Sequence, residues 1–160
     1  MEKKQKPKSK STTRPSTKRA RNAGAHSQQK GHQGKFVTAI NCMDGRVQLP
    51  VINWMMQNLS ADYVDMITEP GPDKILAEGS ATAQDLIKAR VLISVNKHGS
   101  DTILMVSHDD CAGNPVTREE HERQLQQCLA RICSWKLPVK NVLGAWIDNT
   151  WKVEIIETSH

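Results

Sequence analysis

The sequence predicts an α/β fold, with a mainly parallel β-sheet flanked by helices and an antiparallel strand at one edge. Short apolar segments with strand-like patterns alternate with longer segments of helical periodicity, which is typical of a parallel sheet. The last two apolar segments are joined by a short polar connector, Asp148-Asn149-Thr150, which indicates an antiparallel hairpin. A chain of 160 residues is also long enough to bury one substantial core.

Five segments are predicted to be strands. The first begins where the composition changes at Phe36, after a segment that has no Val, Ile, Leu or aromatic residue. Its apolar pattern is typical of a buried strand. The predicted strands are Phe36–Asn41, Tyr63–Thr68, Thr102–Ser107, Val142–Ile147 and Trp151–Ile156.

Three helices are predicted between these strands. They are Pro50–Leu59, Ser80–Lys97 and a helix that starts near Thr117 and runs to about Trp135. Pro50 suits a first helical turn, and Ser80 can cap the start of the second helix. Glu69-Pro70-Gly71-Pro72 is predicted to break the chain after the second strand.

Two short motifs follow the first and third predicted strands: Cys42-Met43-Asp44-Gly45-Arg46 and His108-Asp109-Asp110-Cys111. Because functional sites in parallel sheets gather at the carboxyl ends of the strands, Cys42, His108 and Cys111 are expected to meet there. Two thiolates and one imidazole are a ligand set typical of Zn²⁺, with a fourth position left open. The sequence therefore predicts a zinc site at this edge of the sheet.

At these residues the chain resembles the β-class carbonic anhydrases, over roughly Phe36 to Glu157. That family carries Cys-x-Asp-x-Arg after its first strand and His-x-x-Cys after its third, and both motifs occur here in that order. The resemblance implies reversible hydration of CO2 to bicarbonate by attack of a zinc-bound hydroxide, with Cys42, His108 and Cys111 as the zinc ligands. It also implies a homodimer or a higher homo-oligomer.

The resemblance gives Asp44 and Arg46 the catalytic roles and leaves two states open for Asp44. Paired with Arg46, Asp44 leaves the zinc open and orients the hydroxide by accepting its hydrogen bond. Released from Arg46, Asp44 can become the fourth ligand and close the site. No proton shuttle is assigned, because His98 and His121 are expected to be a helix-end and a surface histidine.

The chain departs from the family at several positions near the site. Most β-class enzymes carry Arg-Asn-Ala-Gly after the second strand, where this chain has Thr68-Glu69-Pro70-Gly71-Pro72-Asp73 and only Gly71 matches. The residue after the second Cys ligand is usually Gly and is Ala112 here, with Gly113 one position later. Two alternatives therefore stay open: a zinc-binding but catalytically silent scaffold or binding module, and a hydrolase of COS or CS2.

Charge is divided unevenly along the chain. Residues 1–35 hold 11 of the 22 Lys and Arg residues and one of the 17 acidic residues, so they carry a net charge of +10 and residues 36–160 carry −5. We predict that residues 1–35 form a disordered basic tail and that residues 36–160 form the zinc domain. The tail could bind an anionic partner such as nucleic acid, but without aromatic residues such binding should be weak and salt-sensitive. A solubilising or partner-docking tail is the simpler interpretation.

A cytoplasmic location is predicted from the cysteines and from the hydropathy pattern. No apolar run approaches the ~18 residues of a membrane span, and no signal-peptide segment is recognisable near the start. Of the four cysteines, Cys42 and Cys111 belong to the motifs. Cys128 and Cys133 lie five residues apart in a helical pattern, which is a poor spacing for a disulfide.

Overall fold

The computed structural model describes residues 34–159, which form one five-stranded sheet with helices on both faces. The strands are β1 (Phe36–Cys42), β2 (Tyr63–Glu69), β3 (Thr102–His108), β4 (Asn141–Ile147) and β5 (Val153–Ser159). Their order across the sheet is β2-β1-β3-β4-β5, and all neighbours are parallel except β4 and β5, which are antiparallel. The predicted fold class is therefore confirmed for the described part of the chain.

Residues 1–33 of the predicted disordered tail lie outside the described residues. The predicted division into a tail (1–35) and a domain (36–160) therefore stays a prediction. Lys35, which that division assigns to the tail, is bonded to the connection between the first helix and β2. Its backbone N–H donates to Asp62 Oδ2 at 2.6 Å, and its Nζ donates to the carbonyl of Leu59 at 2.7 Å.

Four α-helices connect the strands: α1 (Gly45–Leu59), α2 (Pro72–Glu78), α3 (Ala81–Ile93) and α4 (Arg118–Ser134). Ser80 and Thr117 cap α3 and α4 through their side-chain oxygens, as predicted for Ser80. The predicted long helix Ser80–Lys97 is interrupted, because α3 ends at Ile93 and a π-helical turn, Ser94–His98, follows it. Among the described residues, no helix combines the length and apolar character that crossing a membrane requires.

The first helix begins earlier than the sequence pattern predicts. It starts at Gly45, so Pro50 lies inside α1 rather than in its first turn. Asp44 caps α1 by accepting a hydrogen bond from the N–H of Arg46 at 2.9 Å. A residue of the first motif thus sets the start of the helix that follows it.

Helix α2 occupies the place of a predicted chain break. Glu69-Pro70-Gly71-Pro72 does turn the chain, and Gly71 has φ of 61°, a conformation that favours glycine. Pro72 then begins α2, because its fixed φ suits a first helical position. The sequence pattern predicts the turn correctly but misses the short helix after it.

Two apolar clusters fill the two faces of the sheet. One cluster packs the sheet against α2, α3 and α4 and includes Leu76 and Leu125. The other packs the opposite face against α1 and includes Val51. Cys42 and Cys111 belong to this second cluster, so the second face carries the two motif thiols among buried apolar side chains.

The strand order creates a crevice at one edge of the sheet. After β1 the chain continues to β2 on one side, and after β3 it continues to β4 on the other side. The carboxyl ends of β1 and β3 therefore lie at a topological switch point of the sheet. Pairing between them covers Thr38–Ile40 and Ile103–Met105 and stops before Cys42 and His108, the last residues of the two strands. In open α/β sheets ligands bind outside the carboxyl ends of strands at such a point.

Candidate metal centre

Three side chains meet at this crevice. Cys42 ends β1, His108 ends β3, and Cys111 lies in the loop that follows β3. One ligand atom from each residue lies within 4.8 Å of the other two, and the two Sγ atoms are 3.8 Å apart. The three residues are 3%, 1% and 3% exposed. The described residues thus contain the expected assembly of two thiols and an imidazole, while its role in metal binding stays a prediction.

The imidazole of His108 has one nitrogen engaged and one without a partner. Nδ1 donates a hydrogen bond to the carbonyl of Asp109 at 2.7 Å. Since a carbonyl can only accept, this bond places the proton on Nδ1 and leaves the lone pair on Nε2. Among the buried side-chain nitrogen and oxygen atoms of the described residues, only His108 Nε2 and Asn114 Oδ1 lack a hydrogen-bond partner.

The two thiols differ in how readily they ionise. The hydrogen bond from Cys111 lowers the pKa of the Cys42 thiol to about 4, and the His108 ring acts in the same direction against the effect of burial. The neighbouring Cys42 sulfur and burial together raise the pKa of the Cys111 thiol. One thiolate therefore forms readily at neutral pH, and a second forms only when a cation compensates it.

Backbone amides surround both sulfur atoms. The N–H of Gly71 lowers the pKa of the Cys42 thiol, and those of Gly113 and Asn114 act in the same way on Cys111. The loop between β2 and α2 and the loop between β3 and α4 approach each other closely. A Cβ placed on Gly113 would lie 2.6 Å from the carbonyl carbon of Pro70 and 2.7 Å from the nitrogen of Gly71. Glycine is required at this position because no side-chain atom fits between the two backbones.

Asp44 lies beside the three-residue cluster and is held by Arg46. The guanidinium donates from Nε to both carboxylate oxygens at 3.0 Å and from Nη2 to Oδ2 at 2.6 Å. These bonds lower the pKa of the Asp44 carboxyl to about 2. The group of potential ligands within 4.8 Å of one another contains Cys42, His108 and Cys111 and does not include Asp44.

Arg46 also contacts two other segments of the site. Nη1 donates to Asp110 Oδ2 at 3.0 Å, and Nη2 donates to the carbonyl of Asp110 at 3.1 Å. The guanidinium carbon lies 5.0 Å from the centre of the Trp151 ring, within the range of a cation–π interaction. Arg46 therefore connects the two motifs to each other and to the loop between β4 and β5.

The described geometry can be compared with known proteins. The family described as "Putative carbonic anhydrase" matches residues 32–157, which is most of the chain. The chain belongs to this family. The resemblance to carbonic anhydrases predicted from the two motifs is thereby confirmed.

The similarity to individual known proteins is low. No curated protein matches this carbonic anhydrase family member. Among solved structures, it is similar to a chain described under "Crystal structures of two tetrameric beta-carbonic anhydrases from the filamentous ascomycete Sordaria macrospora". The identity is 13%, the match covers 81% of this chain and 85% of that chain, and the TM-score is 0.47.

The two acids in the segment that departs from the family pattern are bonded to residues outside the cluster. Glu69 forms an ion pair with Arg90 on α3. Asp73 is 1% exposed in the first turn of α2, and its carboxylate is bonded to Ser107 and His121. Neither carboxylate belongs to the potential ligand group.

Sequence reasoning missed the role of His121 in this carbonic anhydrase family member. The expected surface histidine is 1% exposed, and its Nδ1 is hydrogen-bonded to Asp73 Oδ2. Ser107 Oγ donates to the same Asp73 oxygen, Oδ2, at 2.9 Å and precedes His108 in β3. The one signal in the sequence is the position of His121 on the apolar side of α4, four residues before Leu125.

Proposed function

We propose that the chain binds Zn²⁺ through Cys42, His108 and Cys111 and catalyses the reversible hydration of CO2. The observation that carries the proposal is the buried His108 Nε2 atom, which has no hydrogen-bond partner and lies beside two thiols. An unpartnered buried nitrogen costs about 1–3 kcal/mol, and a bound metal would remove this cost. Sulfur together with imidazole favours zinc over magnesium or calcium.

When bound there, zinc supplies Lewis-acid chemistry that lowers the pKa of water to about 7, so the nucleophile for CO2 exists at neutral pH. Asp44 serves as the acceptor that orients the attacking water. Arg46 keeps Asp44 in this role by occupying both of its carboxylate oxygens. The Nδ1–H bond to Asp109 fixes the His108 tautomer that leaves Nε2 available to the metal.

Two further parts of the proposal concern the setting of the protein. We place it in the reducing cytoplasm, because two thiols 3.8 Å apart must stay reduced to act as ligands. We also propose a homodimer or higher homo-oligomer. Exposed apolar side chains close to the motifs in sequence, Met43 at 63% and Leu49 at 67%, support an interface on this side.

The first test is CO2 hydration by stopped flow from about pH 7 to 9, on protein of measured zinc content. We predict one zinc per chain and hydration that depends on it. Asp44→Asn keeps the oxygen that caps α1 but loses the carboxylate, so kcat/KM should fall on the order of 100-fold at unchanged zinc content. Asp85→Asn, at an exposed position of α3, is the matched control and should behave like the wild type.

The outcomes separate the candidate functions. A wild-type protein that binds no zinc contradicts the metal site, and Cys42→Ser should abolish zinc binding if the site is correct. Full zinc occupancy without CO2 hydration contradicts the proposed reaction. Assays with COS and CS2 would then distinguish a related hydrolase from a catalytically silent zinc module.

A further inference from the structure

Hydrogen bonds within the loop between β4 and β5 fix the backbone position of Trp151. The loop between β4 and β5 is held together by Asp148, whose Oδ1 accepts hydrogen bonds from the N–H and hydroxyl groups of Thr150 and from the N–H of Lys152, at 2.7–3.0 Å. The N–H of Trp151 donates to the carbonyl of Asp148 at 3.0 Å. None of these bonds involves Arg46, so the loop conformation does not depend on the guanidinium that lies over the Trp151 ring.

The backbone of Trp151 is in an unusual conformation. Its φ of 64° lies in the left-handed region, which is rare for a residue as large as tryptophan. The residue is 36% exposed, and the guanidinium carbon of Arg46 lies 5.0 Å from the centre of its ring. A strained position is retained only where the surrounding structure holds it, and such positions concentrate at functional sites.

The contacts of Arg46 with Asp110 and with Trp151 differ in how strongly they restrict its side chain. The Asp110 carboxylate is 79% exposed, and an ion pair so open to solvent contributes little. The guanidinium carbon lies over the Trp151 ring, whereas the bonds to Asp44 are made by the N–H groups at the edge of the guanidinium. Trp151 therefore restricts the motion of Arg46 out of the position in which it binds both oxygens of Asp44.

We propose that Trp151 is a positioning residue that acts through Arg46 to keep Asp44 off the metal and the fourth coordination position open. This inference rests on the proposed function. Without the Trp151 ring, Arg46 binds Asp44 less firmly, and Asp44 competes with small anions for the fourth position. The apparent affinity for such an anion then falls in proportion to the fraction of protein in the open state.

The test is azide binding to the cobalt-substituted protein at one fixed pH near 8, followed by visible absorption. Trp151→Ala should weaken azide binding roughly 2- to 5-fold at an unchanged ratio of cobalt to protein, which is the size expected for losing one partly exposed cation–π contact. Trp151→Gly, which accepts the φ of 64° without strain, should give the same result. Trp151→Phe keeps an aromatic face and should stay close to the wild type.

A matched control removes a tryptophan from a cation–π pair elsewhere. Lys88 Nζ lies 5.8 Å from the centre of the Trp135 ring, and Trp135→Ala should leave azide binding unchanged. Equal azide affinity in the wild type, Trp151→Ala and Trp151→Gly would overturn the inference, and so would a wild type whose cobalt already carries Asp44. A wild type that binds no cobalt overturns both the inference and the proposed function. If the protein binds cobalt but its zinc form does not hydrate CO2, the proposed reaction alone is overturned. The azide titration then still tests the role of Trp151.

Discussion

Gly113 shows how a single residue allows the β3–α4 loop to pack against the β2–α2 loop. Its backbone faces Pro70 and Gly71 at distances that leave no room for a Cβ. The Gly71 N–H is aimed at the Cys42 sulfur, and that of Gly113 at the Cys111 sulfur. Moving the loops apart would therefore withdraw hydrogen bonds from both sulfur atoms at once.

We predict that Gly113→Ala weakens zinc binding by roughly 10-fold or more. An atom inserted against rigid backbone typically costs about 1–3 kcal/mol, and about 1.4 kcal/mol corresponds to a tenfold change in affinity. Competition with a chromophoric chelator measures the effect. Gly45→Ala is the matched control, because a Cβ at Gly45 meets no atom within 4 Å. Equal zinc affinity of the two variants would show that the loops can separate without harm.

At the scale of secondary-structure elements, the hydrogen bonds of one buried carboxylate connect α2, β3 and α4. Asp73 in α2 is bonded to Ser107 in β3 and to His121 in α4. Burial acts to raise the pKa of the Asp73 carboxyl, but the bonds from His121, Ser107 and the N–H of Lys74 outweigh it and lower the pKa below its ordinary value. The ionised form of Asp73 is thus the one that the folded protein favours.

The sign of the resulting pH dependence follows from that lowered pKa. Asp73 stabilises the fold above the ordinary Asp pKa of about 3.9, and this contribution is lost as the pH falls through the lower pKa of the folded state. We predict that Asp73→Asn reduces the free energy of unfolding by about 2–4 kcal/mol at pH 7. The difference from the wild type should shrink below about pH 4.

Urea unfolding at pH 7 and at pH 3 measures this difference. Asp85→Asn, on the exposed side of α3, should match the wild type at both pH values. A gap between wild type and Asp73→Asn that is as large at pH 3 as at pH 7 would mean that the loss comes from packing rather than from charge.

The elements that could be predicted from the sequence are those whose determinants are local. The apolar strands, the cap at Ser80 and the helix start near Thr117 depend on a few adjacent residues. The edge at which Cys42 and His108 meet depends only on strand order. Helix α2 was missed because its sequence signal, a glycine followed by a proline, also marks an ordinary turn.

The features that could not be predicted depend on residues far apart in the chain. The burial of His121 requires Asp73, which lies 48 residues away. The contact of Arg46 with Trp151 depends on how the β4–β5 loop folds over the first motif, and no spacing in the sequence encodes it. Within the site, the residue types, their convergence and the pairing of Asp44 with Arg46 were predictable, whereas the contact of Arg46 with Trp151 was not.

For the whole molecule, the basic segment at the start and the acidic remainder should behave as separable parts. We predict that deleting residues 1–33 sharply lowers the salt concentration needed to elute the protein from heparin. These residues hold ten Lys and Arg residues and one acid, so their loss changes the net charge from +5 to −4. The deletion ends at residue 33 because Lys35 is bonded to Asp62 and Leu59. CO2 hydration by the shortened chain is the control and should be unchanged. Unaltered retention on heparin would instead place the anion-binding surface in the remainder of the chain.

The distance along the chain between the two thiols has a consequence for folding. Cys42 and Cys111 are 69 residues apart in sequence, and the segment between them includes the elements from α1 to β3. A zinc ion bound by both would therefore cross-link the chain around a long loop, and much of its binding free energy would be folding free energy. Because the three ligands come together only in the folded chain, chelation of the ion should lower the melting temperature as well as stop the proposed reaction.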